Sequence, residues 1–456
     1  MGCGCNLLNI RVKRFVIIIS IVILIAYMAI SAIVLSRHGY LRGGSSLRAE
    51  QMAYADSVIN QAIEEGEFPG AVLCVVRRAL DGESMGRMLY LKAYGNRQVT
   101  SARTADGRWI ADTLPMTTDA VFDLASLSKS VGTAPAFMTL VERGQVRLSD
   151  RVSRYIPNFK PWESKPRRRG ERKEREHITV KHLLTHTSGL PAAINVPKFL
   201  ERYEKWGEPA EQNLRDSLIT YLATEAERLS RPEEKMRYSC LNYILLQAIL
   251  ENVTSERLDH YAEREIFAPM QLKNTWYNHI DEPKPYADST PIVPTEVLAD
   301  GTLLYGEVHD PTARIVNRGV SGNAGLFSTA EDLAVIASML MNKGVIRINK
   351  DGLQGRVGAN ERVRILSEAS VESMMHAPER LAEHGRTLGW VDGIMGDLAS
   401  EQSINHTGYT GTSMTIDQEN GVAIILLTNR VHPVDKGSLS RIRATVENIV
   451  LAALDK

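Results

Sequence analysis

Three short stretches of this 456-residue chain carry side chains that could share one reaction. The first is Ser126-Leu127-Ser128-Lys129, the only S-x-x-K in the chain. A serine hydroxyl is a poor nucleophile until a neighbour takes its proton or a cation stabilises its alkoxide. Lysine can do either, according to its own protonation. Three residues apart on a helix, Ser126 and Lys129 share a face, and a helix N-terminus points free N–H groups toward developing negative charge. The same pair also reads as an N-cap serine and a solvated lysine. The second stretch is Tyr238-Ser239-Cys240, just before an apolar helical pattern. Its phenol could be a core residue with a satisfied hydroxyl, or a general base if cations lie near it. The third is His406-Thr407-Gly408-Tyr409-Thr410-Gly411, where two glycines let the backbone approach a ligand. A histidine in such a turn is more often structural than catalytic.

These residues are far apart in the chain, so the elements around them must bring them together. Phe122–Ala125 reads as the approach to a helix that runs on through Val131–Leu140, with Pro135 expected to kink or restart it. Leu241, Leu245, Ala248 and Ile249 form the buried stripe of the helix after Tyr238. Ala49–Glu65 reads as an amphipathic helix with Met52, Ala53, Val58, Ile59 and Ile63 on one stripe. Strands are expected at Gly70–Arg78 and Gly86–Tyr94, joined by a turn around Asp81-Gly82. Further strands are expected at Arg386–Val391, Gln402–Thr407, Thr412–Asp417 and Val422–Thr428. The span from Ser126 to about Asp310 is mainly helical in pattern. Ser328-x-x-Glu331 looks like a capping box opening a helix through Leu340, and a last helix covers about Ser438–Leu454. Strands at both ends with helices between them imply one sheet built from N- and C-terminal segments, with a helical insertion.

Composition narrows the function classes. Fifty-four basic residues balance fifty-four acidic ones, so overall charge gives no reason to expect a nucleic-acid partner. Four cysteines in so long a chain exclude a disulfide scaffold, and no Cys/His spacing resembles a zinc site. There is no H-E-x-x-H, P-loop or dinucleotide fingerprint. Residues 15–36 form an uncharged 22-residue stretch, which as a helix covers about 33 Å, enough to cross a lipid bilayer. Its length favours an uncleaved anchor over a cleaved signal peptide. Three Lys/Arg on either side leave its orientation tied by charge. The expected organisation is a cytoplasmic N-terminus (1–14), a transmembrane helix (15–36), a linker (37–48) and one domain (49–456) whose helical subdomain covers about 136–310. Lys165–Glu176 holds seven basic and three acidic residues; it reads as a solvated loop, or as a contact for anionic lipid or a cell-surface polymer.

In this order, Ser126-x-x-Lys129, Tyr238-x-Cys240 and His406-Thr407-Gly408 resemble the three-motif pattern of class C-type serine β-lactamases and low-molecular-mass penicillin-binding proteins. Within that family the chain is similar to periplasmic penicillin-binding protein 4B-type serine hydrolases and related esterases. The runs His182–Pro191, Gly306–Ala313, Gly322–Ala334 and His406–Arg430 fit as well. The resemblance implies a β-lactamase/transpeptidase-like α/β (α+β) fold, with an antiparallel sheet flanked by helices. It implies that Ser126 forms an acyl-enzyme, that Lys129 and Tyr238 move its proton, and that the N–H groups of Ser126 and Tyr409 make the oxyanion hole. His406, Thr407, Gly408 and Cys240 would line the substrate site. Two positions depart from the pattern. Cys240 stands where Asn is usual, and His406 replaces a common Lys, exchanging a fixed cation for a group that ordinarily titrates near neutrality. The implied function is a single-pass inner-membrane hydrolase, its catalytic domain on the periplasmic side. Its substrate would be a peptidoglycan-derived D-Ala-type peptide, related amide or ester, with weak or no β-lactamase activity and no cofactor or metal. The alternative is a non-catalytic tethered sensor or scaffold that binds penicillin or peptidoglycan; a eukaryotic organellar relative is a third possibility.

Overall fold

The computed structural model describes residues 47–78, 86–165, 172–204, 214–283, 289–349, 360–377 and 382–454. The apolar segment 15–36, the linker through residue 46, the Asp81-Gly82 turn and residues 166–171 of the basic loop lie outside them. Among the described residues no helix is long and apolar enough to cross a membrane.

A seven-stranded antiparallel sheet, in the order β11-β12-β13-β14-β1-β2-β3, carries the fold. Strand β1 (Gly70–Arg77) is an unbroken apolar run because both its faces are covered. Ala71, Leu73 and Val75 pack with α1 (Ala49–Glu64) and α10 (Ser440–Ala453). Val72, Cys74 and Val76 point to the larger core on the other side, which includes α8 (Ala330–Met341). Burying each large side chain is worth about 1.5–3 kcal/mol, so this strand pins the sheet in register. It pairs with β14 (Val422–Thr428) from Ala71↔Thr428 to Arg77↔Val422, joining the two ends of the chain in one layer. The C-terminal half continues as a meander through β13 (Ser413–Asp417), β12 (Ser403–Thr407) and the short β11 (Val391–Asp392).

On the other side of β1, β2 (Arg87–Arg103) runs well past the expected end at Tyr94 and pairs with β3 (Trp109–Pro115), a strand with no counterpart in the sequence reading. On α1 the buried stripe is Met52, Ala55, Ile59 and Ala62, whereas Ala53 is exposed. The cap of α8 is Thr329, whose hydroxyl accepts from Asp332 N. Ser328 instead ends β8 (Leu326–Ser328), and its hydroxyl meets that of Thr275 at 2.8 Å.

Between β4 (Phe122–Asp123) and β8 the chain is mainly helical: α2 (Ala134–Glu142), α3 (Val180–Leu184), α4 (Val196–Glu204), α5 (Leu214–Thr224), α6 (Cys240–Thr254) and α7 (Leu258–Ala262). β7 (Trp276–Tyr277) joins β4 and β8 in a small sheet. The described flanks of the basic loop form a hairpin, β5 (Trp162–Glu163) with β6 (Arg175–Glu176), laced by Lys173 and Arg175 on Glu163. Two further hairpin strands, β9 (Val345–Asn349) and β10 (Asn360–Arg364), and a helix, α9 (Glu368–Met375), precede the C-terminal meander.

Candidate active site

The Ser126 segment is not a regular helix start. Ser126 sits in a 3₁₀ turn (Ala125–Leu127), Lys129 opens a π-helical turn (Lys129–Thr133), and α-helical geometry begins only at Ala134. Pro135 follows directly on the π turn, with Thr133 and Ala134 already helical, so its missing N–H removes a bond from a continuous helical run and accompanies the irregular geometry there. Ala125, just before Ser126, has φ of +46°, an uncommon conformation for a residue with a Cβ. The buried carboxylate of Asp123 holds that turn. One of its oxygens accepts from Ala125 N at 2.8 Å and the other from His309 N at 2.7 Å.

Lys129 is fully buried. Its ammonium donates to Ser126 Oγ at 2.9 Å and to the Asn323 carbonyl at 2.6 Å. Burial opposes its charge, but the neighbouring Cys240 and Tyr238, which attract it when ionised, hold its pKa above the ordinary lysine value. The ammonium lies 5.1 Å from the centre of the Tyr238 ring. Tyr238 precedes α6 by two residues, and its hydroxyl is buried with no hydrogen-bond partner among the described residues. Cys240, a free thiol, is the first residue of α6 and is fixed by its N–H to the Ala192 carbonyl at 2.8 Å.

The turn between β12 and β13 is stitched directly to the segment before Ser126. Thr410 Oγ1 donates to Asp123 O at 2.7 Å, and Thr412 Oγ1 donates to Leu124 O at 2.9 Å. Gly408 fits beneath these bonds because a Cβ there would collide with Thr412 Oγ1 and Leu124 O. Thr407 is half-buried at the end of β12. Tyr409 projects outward, its ring 5.6 Å from that of His309 and its hydroxyl on Asp435 at 2.6 Å. Neither Ser126 N nor Tyr409 N donates to an acceptor among the described residues.

His406 lies on β12 with its ring 6.2 Å from that of Tyr238. Its Nδ1 is 3.0 Å from the Thr407 carbonyl, which fixes the proton on Nδ1 and leaves the Nε2 lone pair free. Burial, then Arg386 and Lys129, push its pKa well below the usual imidazole value. Burial and these two cations therefore favour the neutral form of His406.

Three residues at this site were not singled out in the sequence. Asn323, in the run Gly322–Ala334, supplies the carbonyl that anchors Lys129. His186, in the run His182–Pro191, lies with its ring 4.5 Å from that of Tyr238. Its Nδ1 faces Ser239 N and Asn242 Nδ2, both at 3.2 Å, so the acceptor lone pair is on Nδ1. Both runs were recognisable as motifs, although the individual roles were not. Arg386 had been placed only in a strand; its guanidinium lies 5.4 Å from the Tyr238 ring centre. Among the described residues no group of three or more His, Cys, Asp or Glu is placed to hold a metal ion.

Ser126, Lys129, Tyr238 and residues 406–409 thus lie close together in the fold. The family model described as Beta-lactamase matches residues 55–447. The chain belongs to the Beta-lactamase family. It is a serine hydrolase of the β-lactamase/transpeptidase-like fold, with an antiparallel sheet and helices. A Bacillus subtilis protein named N-acetylmuramyl-L-alanine amidase is 32% identical over 403 residues, covering 84% of this chain and 82% of that protein. A Salmonella paratyphi B protein, provisionally named D-alanyl-D-alanine carboxypeptidase, is 30% identical over 407 residues, covering 84% of each. The solved structure of EstCE1, described as a hydrolase with promiscuous acyltransferase activity, has the same fold at a TM-score of 0.61 and 22% identity. That match covers 88% of this chain and 98% of EstCE1.

Proposed function

We propose that this Beta-lactamase-family protein cleaves a cell-wall D-Ala-type peptide, a related amide or an ester through an acyl-enzyme on Ser126. The observation that carries the reading is the 2.9 Å bond from the Lys129 ammonium to Ser126 Oγ, beside the unpartnered Tyr238 hydroxyl. Ser126 Oγ attacks the carbonyl carbon. Its proton passes to Tyr238 Oη as the proton of Tyr238 goes to the departing amine or alkoxide, so the leaving group departs neutral. Water then repeats the exchange in reverse, releasing the acid and restoring Ser126. Lys129, whose pKa is held above the ordinary lysine value, aligns Ser126, stabilises negative charge on Oγ and shares with Tyr238 in moving the proton. The Ser126 and Tyr409 N–H groups face the developing oxyanion, and each such donor is typically worth about 2.7–4 kcal/mol. His406, Thr407, Gly408 and Cys240 line the substrate site.

The names of the two relatives, an amidase and a carboxypeptidase, support a peptide or amide of the cell wall as substrate. Residues 15–36 are proposed to anchor the protein as a single span in the inner membrane, with the domain in the periplasm, where such a substrate is found. The test is turnover of a panel of D-amino acid peptides, esters and β-lactams by wild type and Ser126→Ala. Turnover lost in the variant supports the reading. Equal turnover by the two proteins, or none of any panel member by wild type, refutes it.

A further inference from the structure

One arginine beneath the turn after β12 is bonded to backbone alone. Arg443, in the first turn of α10, directs Nη2 at Gly408 O, 3.3 Å away, and at Thr412 O, 3.1 Å away. Its Nε is buried without a hydrogen-bond partner, and its guanidinium forms no ion pair among the described residues. Burial, then the charge of Arg430, pushes its pKa down to about 10, which still leaves it cationic at neutral pH. A cation in the first turn of a helix also meets the positive end of the helix dipole, and that turn holds no acidic residue. Neighbouring Arg430 is placed differently. It donates from Nε to Tyr409 O at 3.1 Å, and its charge is balanced by Asp435 at 3.1 Å. Arg443 therefore holds an unbalanced charge where stability alone gives no reason for one.

Gly408 O and Tyr409 N are the two ends of one planar peptide unit. In the acyl-transfer reading, the Tyr409 N–H is one of the two donors to the developing oxyanion. A cation at the carbonyl end draws electron density from the N–H end, and hydrogen bonds in a chain polarise one another. Gly408 O also accepts from Gly411 N at 3.1 Å, and Thr412 O accepts from Gly408 N at 2.7 Å, so the guanidinium closes a compact set of bonds around the turn. The other donor has no such cation behind it. The Ser126 N–H belongs to the peptide of Ala125 O, which accepts from the Ser128 N–H. We propose that Arg443 is a positioning residue for acyl transfer: acting through the Gly408–Tyr409 peptide, it strengthens the Tyr409 N–H toward the oxyanion without touching substrate. This inference rests on the acyl-transfer reading and names a source of its transition-state stabilisation. A hydrogen bond, a peptide unit and a second hydrogen bond place the charge about 8 Å from the oxyanion. At an effective permittivity of about 20, that separation corresponds to about a 30-fold effect on rate.

The test compares full-length wild type with Arg443→Lys, Arg443→Gln and Arg443→Met. On an ester substrate, Arg443→Gln and Arg443→Met should lower kcat and kcat/KM together by about 10- to 30-fold, whereas Arg443→Lys should stay within about threefold of wild type. A boronic acid, which forms an anionic tetrahedral adduct on Ser126 Oγ, should lose affinity in parallel with kcat/KM. Its neutral carboxamide analogue should bind all four proteins alike. The carbonyl stretch of the acyl-enzyme should move to higher wavenumber in Arg443→Gln and Arg443→Met, because a weaker donor polarises the C=O less. Circular dichroism checks folding, and should Arg443→Met not fold, the contrast between Lys and Gln carries the test. Wild-type rates in Arg443→Gln and Arg443→Met would overturn the inference alone. Equal weakening of the boronic acid and the carboxamide, with Arg443→Lys no better than Arg443→Gln, would also overturn it and assign Arg443 to folding of the turn. A wild type that neither turns over the ester nor binds the boronic acid would overturn the acyl-transfer reading, and this inference with it.

Discussion

Gly408→Ala tests whether the substrate edge is held rigidly against the nucleophile. A Cβ at this position would lie far inside contact distance of Thr412 Oγ1 and Leu124 O, and 3.2 Å from the Leu124 carbonyl carbon. Neither oxygen can yield cheaply. They are bonded to each other at 2.9 Å, and Leu124 N is held by Leu326 O at 2.9 Å. Carbon and oxygen touch at about 3.3 Å, so relief requires a displacement of roughly 1 Å between the turn and the nucleophile segment. Overpacking of this kind costs about 1–3 kcal/mol of stability. A 1 Å misplacement of Tyr409 N relative to Ser126 should lower acylation by about 100-fold. Thermal unfolding followed by circular dichroism gives the first quantity, and the rate of labelling by a fluorophosphonate gives the second. A variant that unfolds like wild type and is labelled at the wild-type rate would show that the Thr410 and Thr412 bonds do not set the geometry of the site.

Lys129→Met should separate function from stability: acylation falls by about 10²–10⁴-fold, while unfolding free energy stays within about 1 kcal/mol of wild type or rises, because a buried ammonium is replaced by an apolar chain of similar length. Labelling rate and urea denaturation read the two effects, and normal acylation would remove Lys129 from the mechanism. The buried imidazoles make a pH prediction. His186 and His406 have folded pKa values well below 6.5, so below about pH 6.5 the unfolded chain binds more protons than the folded one. Their stability contribution is complete above that pH and is lost as pH falls toward the folded values, by about 1.4 kcal/mol per pH unit for each imidazole. His406→Gln should make the decline between pH 6.5 and 5.5 shallower by about that amount in denaturant titrations; an unchanged slope would mean that His406 takes up protons in the fold. Activity should show no His406 titration between pH 6 and 7.5, and a titration there that His406→Gln abolishes would contradict its assigned neutral state.

What could be read in the sequence followed the range of the forces involved. β14 lies where the apolar run Val422–Thr428 places it, and Leu241, Leu245, Ala248 and Ile249 are all buried, because burial acts on each residue through a local pattern. The extension of β2 and the whole of β3 were missed because Trp109, Ile110, Ala111 and Asp112 are exposed and show no alternation. The shift of the α8 cap from Ser328 to Thr329 is a choice between adjacent hydroxyls, settled by the pairing of β8 with β4 and β7. Of the site, Ser126, Lys129, Tyr238 and His406 were legible because their motifs stand in sequence. Arg386 was not: in its local pattern it is one polar residue in a strand-like run. Its meaning comes from Tyr238, His186 and His406, each of which reaches it only through the tertiary fold. The neutrality of His406 has the same origin, since side-chain type gives the usual pKa and only burial reverses it.

The acyl-enzyme proposed on Ser126, formed with the help of Lys129 and Tyr238, can be trapped directly. The direct measurement is mass spectrometry of the protein quenched during turnover of an ester substrate, with peptide mapping of the adduct. One acyl group per chain is expected on the peptide containing Ser126, absent in Ser126→Ala and strongly reduced in Lys129→Met and Tyr238→Phe. An adduct on Cys240, or steady turnover with no adduct on Ser126 in any of these proteins, would contradict it.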